Sequence, residues 1–194
     1  MPKLINNQSR PFRYKAHRKI FIIAAEGRRT EPQYFNRFNS SKSVIHIECL
    51  KSGTDSAPRD VLKRMRTRIK EKGLNDGDEA WLVVDRDHWD EAQLKELLAW
   101  SRARDNYGFA LSNPNFEYWL LLHFEEGDDV PNAAVCASRL KRHLPGYDKS
   151  IVSDRLMPGV GAAVDRARRK DTPPCADWPR ATGTTVYKLV EKLL

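Results

Sequence analysis

"KIFIIAAEGRRTEPQYF", residues 19 to 35, opens as a β-branched apolar run and breaks off at Glu26 and Gly27. An apolar run with no alternation is a short strand buried on both faces, as in the middle of a parallel sheet. Thr30 followed by Gln33 has capping-box spacing, so a helix is predicted from about Glu31, turning Tyr34, Phe35 and Phe38 to the core. The unit reads as strand, Glu-Gly turn, helix.

Outward from that unit, "SVIHIECL" (43–50) alternates, with Val44, His46 and Glu48 on one face and Ile45, Ile47 and Cys49 on the other. That pattern suits an edge strand and makes His46 a surface residue. A helix follows, with Ser56 as N-cap, Pro58 in its first turn and Gly73 as its stop. Val61, Leu62, Met65 and Ile69 form its apolar stripe, and basic residues cover the remainder. A third strand is predicted to end at Asp85, and a helix from about Asp90 carries Leu94, Leu97, Leu98 and Trp100. "YGFALS" (107–112) is a fourth strand; Asn113 then reads as an N-cap with Pro114 at the first helical position, opening the buried helix "FEYWLLLHF".

Strands separated by helices predict an α/β fold with a roughly four-stranded, mostly parallel sheet and right-handed crossovers. Helices near 132–144, 159–170 and 184–193 complete a helical C-terminal portion. The expected organisation is a basic arm over 1–18, an α/β core over 19–125 and a helical region over 126–194 packed on that core. The lead-in's Arg10, Arg13, Lys15, Arg18 and Lys19 suit either phosphate contact or a solvated tail.

Composition narrows the function classes. No apolar run approaches the roughly 18 to 20 residues a membrane span needs, and the N-terminus lacks the apolar region of a secretory signal. The cytoplasm is the expected compartment. Cys49, Cys136 and Cys175 are odd in number, far apart and without zinc-ligand spacing, so reduced thiols are expected. A net charge of +8 points to a polyanionic partner such as DNA or RNA.

In an open parallel sheet, ligands bind in the crevice at the carboxyl ends of the strands. Glu26 lies just past one strand and Asp85 and Asp87 at the end of another, where alternation points both aspartates the same way. Crowded carboxylates need compensation, and Mg²⁺ (or Mn²⁺) takes a few of them together with water and phosphate oxygens. Glu26, Asp85 and Asp87 are therefore the candidate catalytic and metal-ligating residues. Glu117 is either a fourth metal-site acid or a favourable charge at a helix N-terminus. Gly27 allows close backbone approach, and Arg28, Arg29, Lys63, Arg64, Arg66, Arg86 and His88 are the candidate nucleic-acid contacts. Asn113, Asn115 and Phe116 form a motif with either a substrate or a structural role, whereas His123, between Leu122 and Phe124, reads as a core histidine.

A strand-end glutamate paired with a later Asp-x-Asp resembles the Toprim fold. More closely, "EGRRTEPQYF" (26–35), "GTD" (53–55), "VVDRDHW" (83–89), "LSNPNFEYWLLLHF" (111–124) and "RATGTTVYKLVEKL" near the C-terminus are similar to the RloB-like family. The resemblance implies a Toprim-type, Mg²⁺-dependent nuclease in prokaryotic anti-phage defence, abortive or restriction-linked, with an AAA or ABC-type ATPase as partner. It gives Glu26 the proton-handling role and Asp85 and Asp87 the metal. Two other readings stand beside it: a non-catalytic module that recruits nucleic acid or the ATPase, and an aspartyl-phosphate phosphatase with Asp85 as nucleophile, which leaves Glu26 without a role. Self-association is compatible with all three.

Overall fold

The computed structural model describes residues 18–40, 43–51, 58–86, 89–149 and 155–194. Its centre is a five-stranded sheet in the order β2-β1-β3-β4-β5. The strands are β1 (Lys19–Ala25), β2 (Ile45–Cys49), β3 (Glu79–Asp85), β4 (Tyr107–Asn113) and β5 (Gly183–Thr184). The first four run parallel, and β5 is antiparallel to β4. The sheet thus has one strand more than the four expected. A two-residue strand followed directly by a helix leaves no periodic signal in the sequence.

The helices are α1 (Thr30–Asn36), α2 (Pro58–Lys72), α3 (Glu91–Ser101), α4 (Phe116–Leu121), α5 (Ala133–His143), α6 (Val160–Lys170) and α7 (Val186–Val190). They cover both faces of the sheet. Ile22, Ala24, Leu82 and Val84 pack with Val61, Leu62 and Met65 of α2 and Leu94 and Leu97 of α3. The alternate residues Phe21, Ile23, Ala25, Trp81 and Val83 pack with Tyr34 and Phe35 of α1, all of α4 except Glu117, and residues of α5, α6 and α7. Strands coated on both sides have no polar face, which is why β1 shows no alternation. The C-terminal region shares this core, supplying β5 to the sheet and Cys136, Leu140, Val164 and Val190 to the second cluster.

At the free edge, Ile45 and Ile47 are buried while His46 is exposed, as the alternation predicts. The Asn39 amide donates to the Ile47 carbonyl (2.9 Å) and accepts from its N–H (2.8 Å), covering part of the edge backbone. Gly73 stops α2 with φ +71° and an N–H bonded to the Ile69 carbonyl. Asp90 caps α3 in a complete capping box with Gln93. Ser56 lies outside the described residues.

Two predicted caps are not formed. The capping position before α1 is Arg29, without a side-chain cap bond, because the Thr30 hydroxyl is drawn to the Lys149 carbonyl (2.9 Å). Asn113 is the last residue of β4, paired with Gly183, and its amide donates to the Pro179 and Arg180 carbonyls. The peptide between Asn113 and Pro114 is cis, and Asn115 takes the capping position of α4 without a side-chain cap bond. The unanticipated β5 lengthens β4 and consumes Asn113.

At the opposite end of the sheet, buried Glu79 binds together the first and last elements of the fold. Its carboxylate accepts from Lys19 Nζ (2.7 Å), Lys192 Nζ (3.0 Å) and Trp81 Nε1 (2.9 Å). Burial pushes its pKa up, but bonds from Lys19, Trp81 and Lys192 outweigh that and hold it below the ordinary carboxylate range. A depressed carboxylate pKa contributes stability above the unfolded pKa and loses it as pH falls through the folded value. Glu79→Gln is therefore expected to cost about 1 to 3 kcal/mol at pH 7. Urea melts at falling pH should show this gap closing below about pH 4.5, the region of the unfolded glutamate pKa.

Candidate functional site

The strand order reverses between β1 and β3, because the chain moves from β1 outward to β2 and returns across the sheet to β3. Neighbouring strands whose connections leave in opposite directions open a crevice at their carboxyl ends. Ala25 pairs with Val83 there, and the Glu26 N–H continues the ladder to the Val83 carbonyl at 3.0 Å. Glu26 is the first residue beyond β1 and Asp85 the last of β3, so the sheet itself brings them together.

The Glu26 carboxylate is held. Its Oε2 accepts from the indole Nε1 of buried Trp89 (2.9 Å) and from the Asp85 backbone N–H (3.3 Å). Arg86 Nη1 donates to the Trp89 carbonyl (2.5 Å), and the Arg86 N–H to the Ser112 carbonyl (2.9 Å). From the other side Arg64 donates to the carbonyls of Ala25 (2.7 Å), Asp60 and Leu50. The fold thus turns Arg64, a candidate nucleic-acid contact by sequence, inward onto the end of β1; burial lowers its pKa.

One further acid was not singled out by sequence. Glu31, in the first turn of α1, is 4% exposed, and its Oε1 accepts the Gly27 N–H at 3.0 Å. A methyl group on Gly27 would lie 2.0 Å from Glu31 Oε2, so the absent side chain makes room first for this carboxylate. Burial raises the Glu31 pKa to about 7 against two backbone hydrogen bonds, and Glu117 and Glu26 add to the rise. Its signal in the sequence was position: an acid in the first turn of a helix that begins immediately after Glu-Gly.

Glu117, 9% exposed in the first turn of α4, accepts from the Tyr147 hydroxyl at 3.1 Å. Together Glu26, Glu31, Asp85 and Glu117 line a cleft of about 420 Å³, with Phe116 on its wall and Arg28, Arg29 and Lys149 beside them. Among the described residues, no carboxylate forms an ion pair with any of those three cations. Carboxylate oxygens are what a hard divalent cation selects. The Glu31 pKa is raised chiefly by burial, and Glu117 and Glu26 add only the smaller part of the rise. The donor set therefore suits Mg²⁺ or Mn²⁺ in its chemistry. Among the described residues no three potential ligands are already grouped as a metal site. Asp87 and His88 lie outside those residues.

Lys63 and Arg66 are exposed on α2, lining a shallow groove with Lys70 and Glu96. Phe116 is buried against Tyr34 and Phe35, and Asn115 Oδ1 is buried without a hydrogen-bond partner among the described residues. His123 is a satisfied core residue: Nδ1 bonds the Trp119 carbonyl (3.0 Å) and Nε2 lies 3.1 Å from the Tyr34 hydroxyl. Burial lowers its pKa to about 4, so it is neutral at physiological pH.

Glu31 makes the site testable through stability. Folded Glu31 keeps its proton to about pH 7 while an unfolded glutamate loses it near 4.5, so stability falls as pH rises through that window. Glu31→Gln removes the loss. At pH 8 the variant should exceed the wild type by about 2 to 3 kcal/mol, and the gap should close toward pH 4. Chemical denaturation across this range measures it, and a pH-independent difference contradicts the assignment.

A model of the RloB-like protein family matches residues 21–193, from β1 to beyond α7. No curated protein and no solved structure shows a significant match. The mostly parallel sheet flanked by helices is consistent with a Toprim-like fold. With nearly its full length matched, the chain belongs to the RloB-like protein family.

Proposed function

We propose that the chain is a Mg²⁺-dependent, Toprim-type nuclease that hydrolyses nucleic-acid phosphodiester bonds in prokaryotic anti-phage defence, abortive or restriction-linked. An ATPase of the AAA or ABC type is its proposed partner. The observation that carries this reading is the gathering of Glu26, Glu31, Asp85 and Glu117 in one cleft at the strand-order reversal, with Arg28, Arg29 and Lys149 on its lining.

In this reading Asp85 and Asp87 would hold the cation, and Glu117 and Glu31 line the same cleft as Asp85. A bound Mg²⁺ would supply positive charge to the phosphoryl oxygens and would lower the pKa of an attacking water. Glu26, fixed by Trp89 and the Asp85 N–H, takes the proton from that water or returns one to the leaving oxygen. Water adds to phosphorus, the P–O bond to one sugar oxygen breaks, and a phosphomonoester and a free hydroxyl result. Arg28 and Arg29 orient the strand through its phosphates.

The exposed cations Lys63, Arg66 and Lys70 along α2 favour a second reading, a non-catalytic module that recruits nucleic acid or the ATPase over its basic surface. The two differ in what the acids are for. Purified chain is incubated with plasmid, single-stranded DNA and tRNA in Mg²⁺, Mn²⁺ or EDTA, beside Glu26→Ala and Asp85→Asn. The nuclease reading predicts metal-dependent cleavage of at least one substrate, reduced by about 10² or more in either variant with the melting temperature retained. Binding that survives both substitutions and ignores EDTA, with no cleavage alone or with the ATPase, leaves the recruiting module.

A further inference from the structure

Lys149 reaches the acidic cleft from a segment that follows α5, 119 residues along the chain from Thr30. Its placement is fixed by contacts on two other elements. The Thr30 hydroxyl, at the start of α1, donates to the Lys149 carbonyl at 2.9 Å. The Tyr147 hydroxyl lies 3.3 Å from the same Thr30 oxygen and donates to Glu117 Oε1, at the start of α4, at 3.1 Å. Thr30 and Tyr147 are both buried, so the two Tyr147 bonds are interior, and the Thr30 bond to Lys149 is part-buried.

The backbone at Lys149 is in the left-handed region, with φ +69°. Non-glycine residues occupy it only when their surroundings impose it. The Thr30 hydroxyl holds the carbonyl of this residue. The side chain so presented is exposed, lines the cleft that holds Glu26, Glu31, Asp85 and Glu117, and forms no ion pair among the described residues. A cation beside four carboxylates that pairs with none of them is available to an anionic ligand. A phosphate group of an entering strand is the anion that the neighbouring Arg28 and Arg29 also suit.

We infer that Lys149 is a phosphate-binding residue of the cleft, presented by Thr30 and Tyr147, which act as positioning residues and tie it to Glu117. The inference rests on reading the cleft as a phosphodiester site. It adds a contact from beyond α5 to a site otherwise lined by residues between Glu26 and Glu117. Tyr147 touches Glu117 and shares Thr30 with Lys149, so hydrogen bonds link the strand-binding cation to one wall of the acid cluster.

The test is fluorescence anisotropy on the full chain in EDTA, with labelled single-stranded DNA and RNA oligonucleotides, from about 50 to 200 mM salt. Lys149→Ala should weaken binding several-fold and flatten the slope of log K against log salt by about 0.7, the share of one phosphate on a single strand. Lys149→Arg should restore the slope. Thr30→Val should weaken binding in the wild-type background but add nothing to Lys149→Ala, since it acts through that residue. Unchanged affinity and slope in Lys149→Ala, or a wild type that binds neither oligonucleotide, overturns the inference. Loss of metal-dependent cleavage in Glu26→Ala is scored separately. If it occurs while Lys149→Ala binds normally, the nuclease reading stands without this residue. If Glu26→Ala cleaves as well as wild type while the slope falls, the phosphate contact stands and the nuclease reading fails.

Discussion

The parallel pairing of β1 with β3, from Phe21 opposite Glu79 to Ala25 opposite Val83, carries both the core and the cleft. It stacks residues of alternate parity onto two separate helical layers, so a single register sets which side chains face α2 and α3 and which face α1, α4 and the C-terminal helices. A slip of one residue would exchange the two sets. The same register fixes where the strands end. Glu26 can accept from the Asp85 N–H only because Val83 stands opposite Ala25.

The two ends of this sheet treat buried carboxylates in opposite ways. At the amino ends of the strands, Glu79 is met by two lysines and an indole, and its pKa falls. At the carboxyl ends, Glu31 is buried near Glu26 and Glu117, and its pKa rises to about 7. The first arrangement stabilises the fold by joining α7's flank to β1 and β3. The second costs stability, and the fold sustains it with neutral donors: Trp89 on Glu26, the Gly27 N–H on Glu31, Tyr147 on Glu117. A ligand that brings positive charge, or an anion that arrives with its own cation, is what such a cleft accommodates.

Much of this was legible in the sequence. The unbroken apolar run of β1, the alternation of β2, the caps of α2's end and α3, and the buried character of α4 each follow from local pattern. The Glu26 and Asp85 pairing followed from a topological rule applied to two strand ends. What stayed hidden depended on contacts between distant segments. Thr30 has capping-box spacing, yet a carbonyl far along the chain claims its hydroxyl. Asn113 precedes a proline as N-caps often do, yet a two-residue strand near the C-terminus makes it a sheet residue. Arg64 looks like one more cation on a basic helix, and only the packing of α2 against β1 shows that it caps strand-end carbonyls. Glu31 showed in the sequence only as an acid in a first helical turn after Glu-Gly, and Lys149 belongs to no spacing motif; both acquire their place in the cleft from what folds against them.

The central claim is that the strand-end carboxylates act together on a divalent cation. Electron paramagnetic resonance of Mn²⁺ titrated into the wild-type chain and into Asp85→Asn, above pH 7 where Glu31 is ionised, reads this without depending on turnover. The account predicts a bound Mn²⁺ signal in the wild type that is displaced by Mg²⁺ and much weakened in the variant. Equal Mn²⁺ binding by the two chains, or none by either, would contradict it.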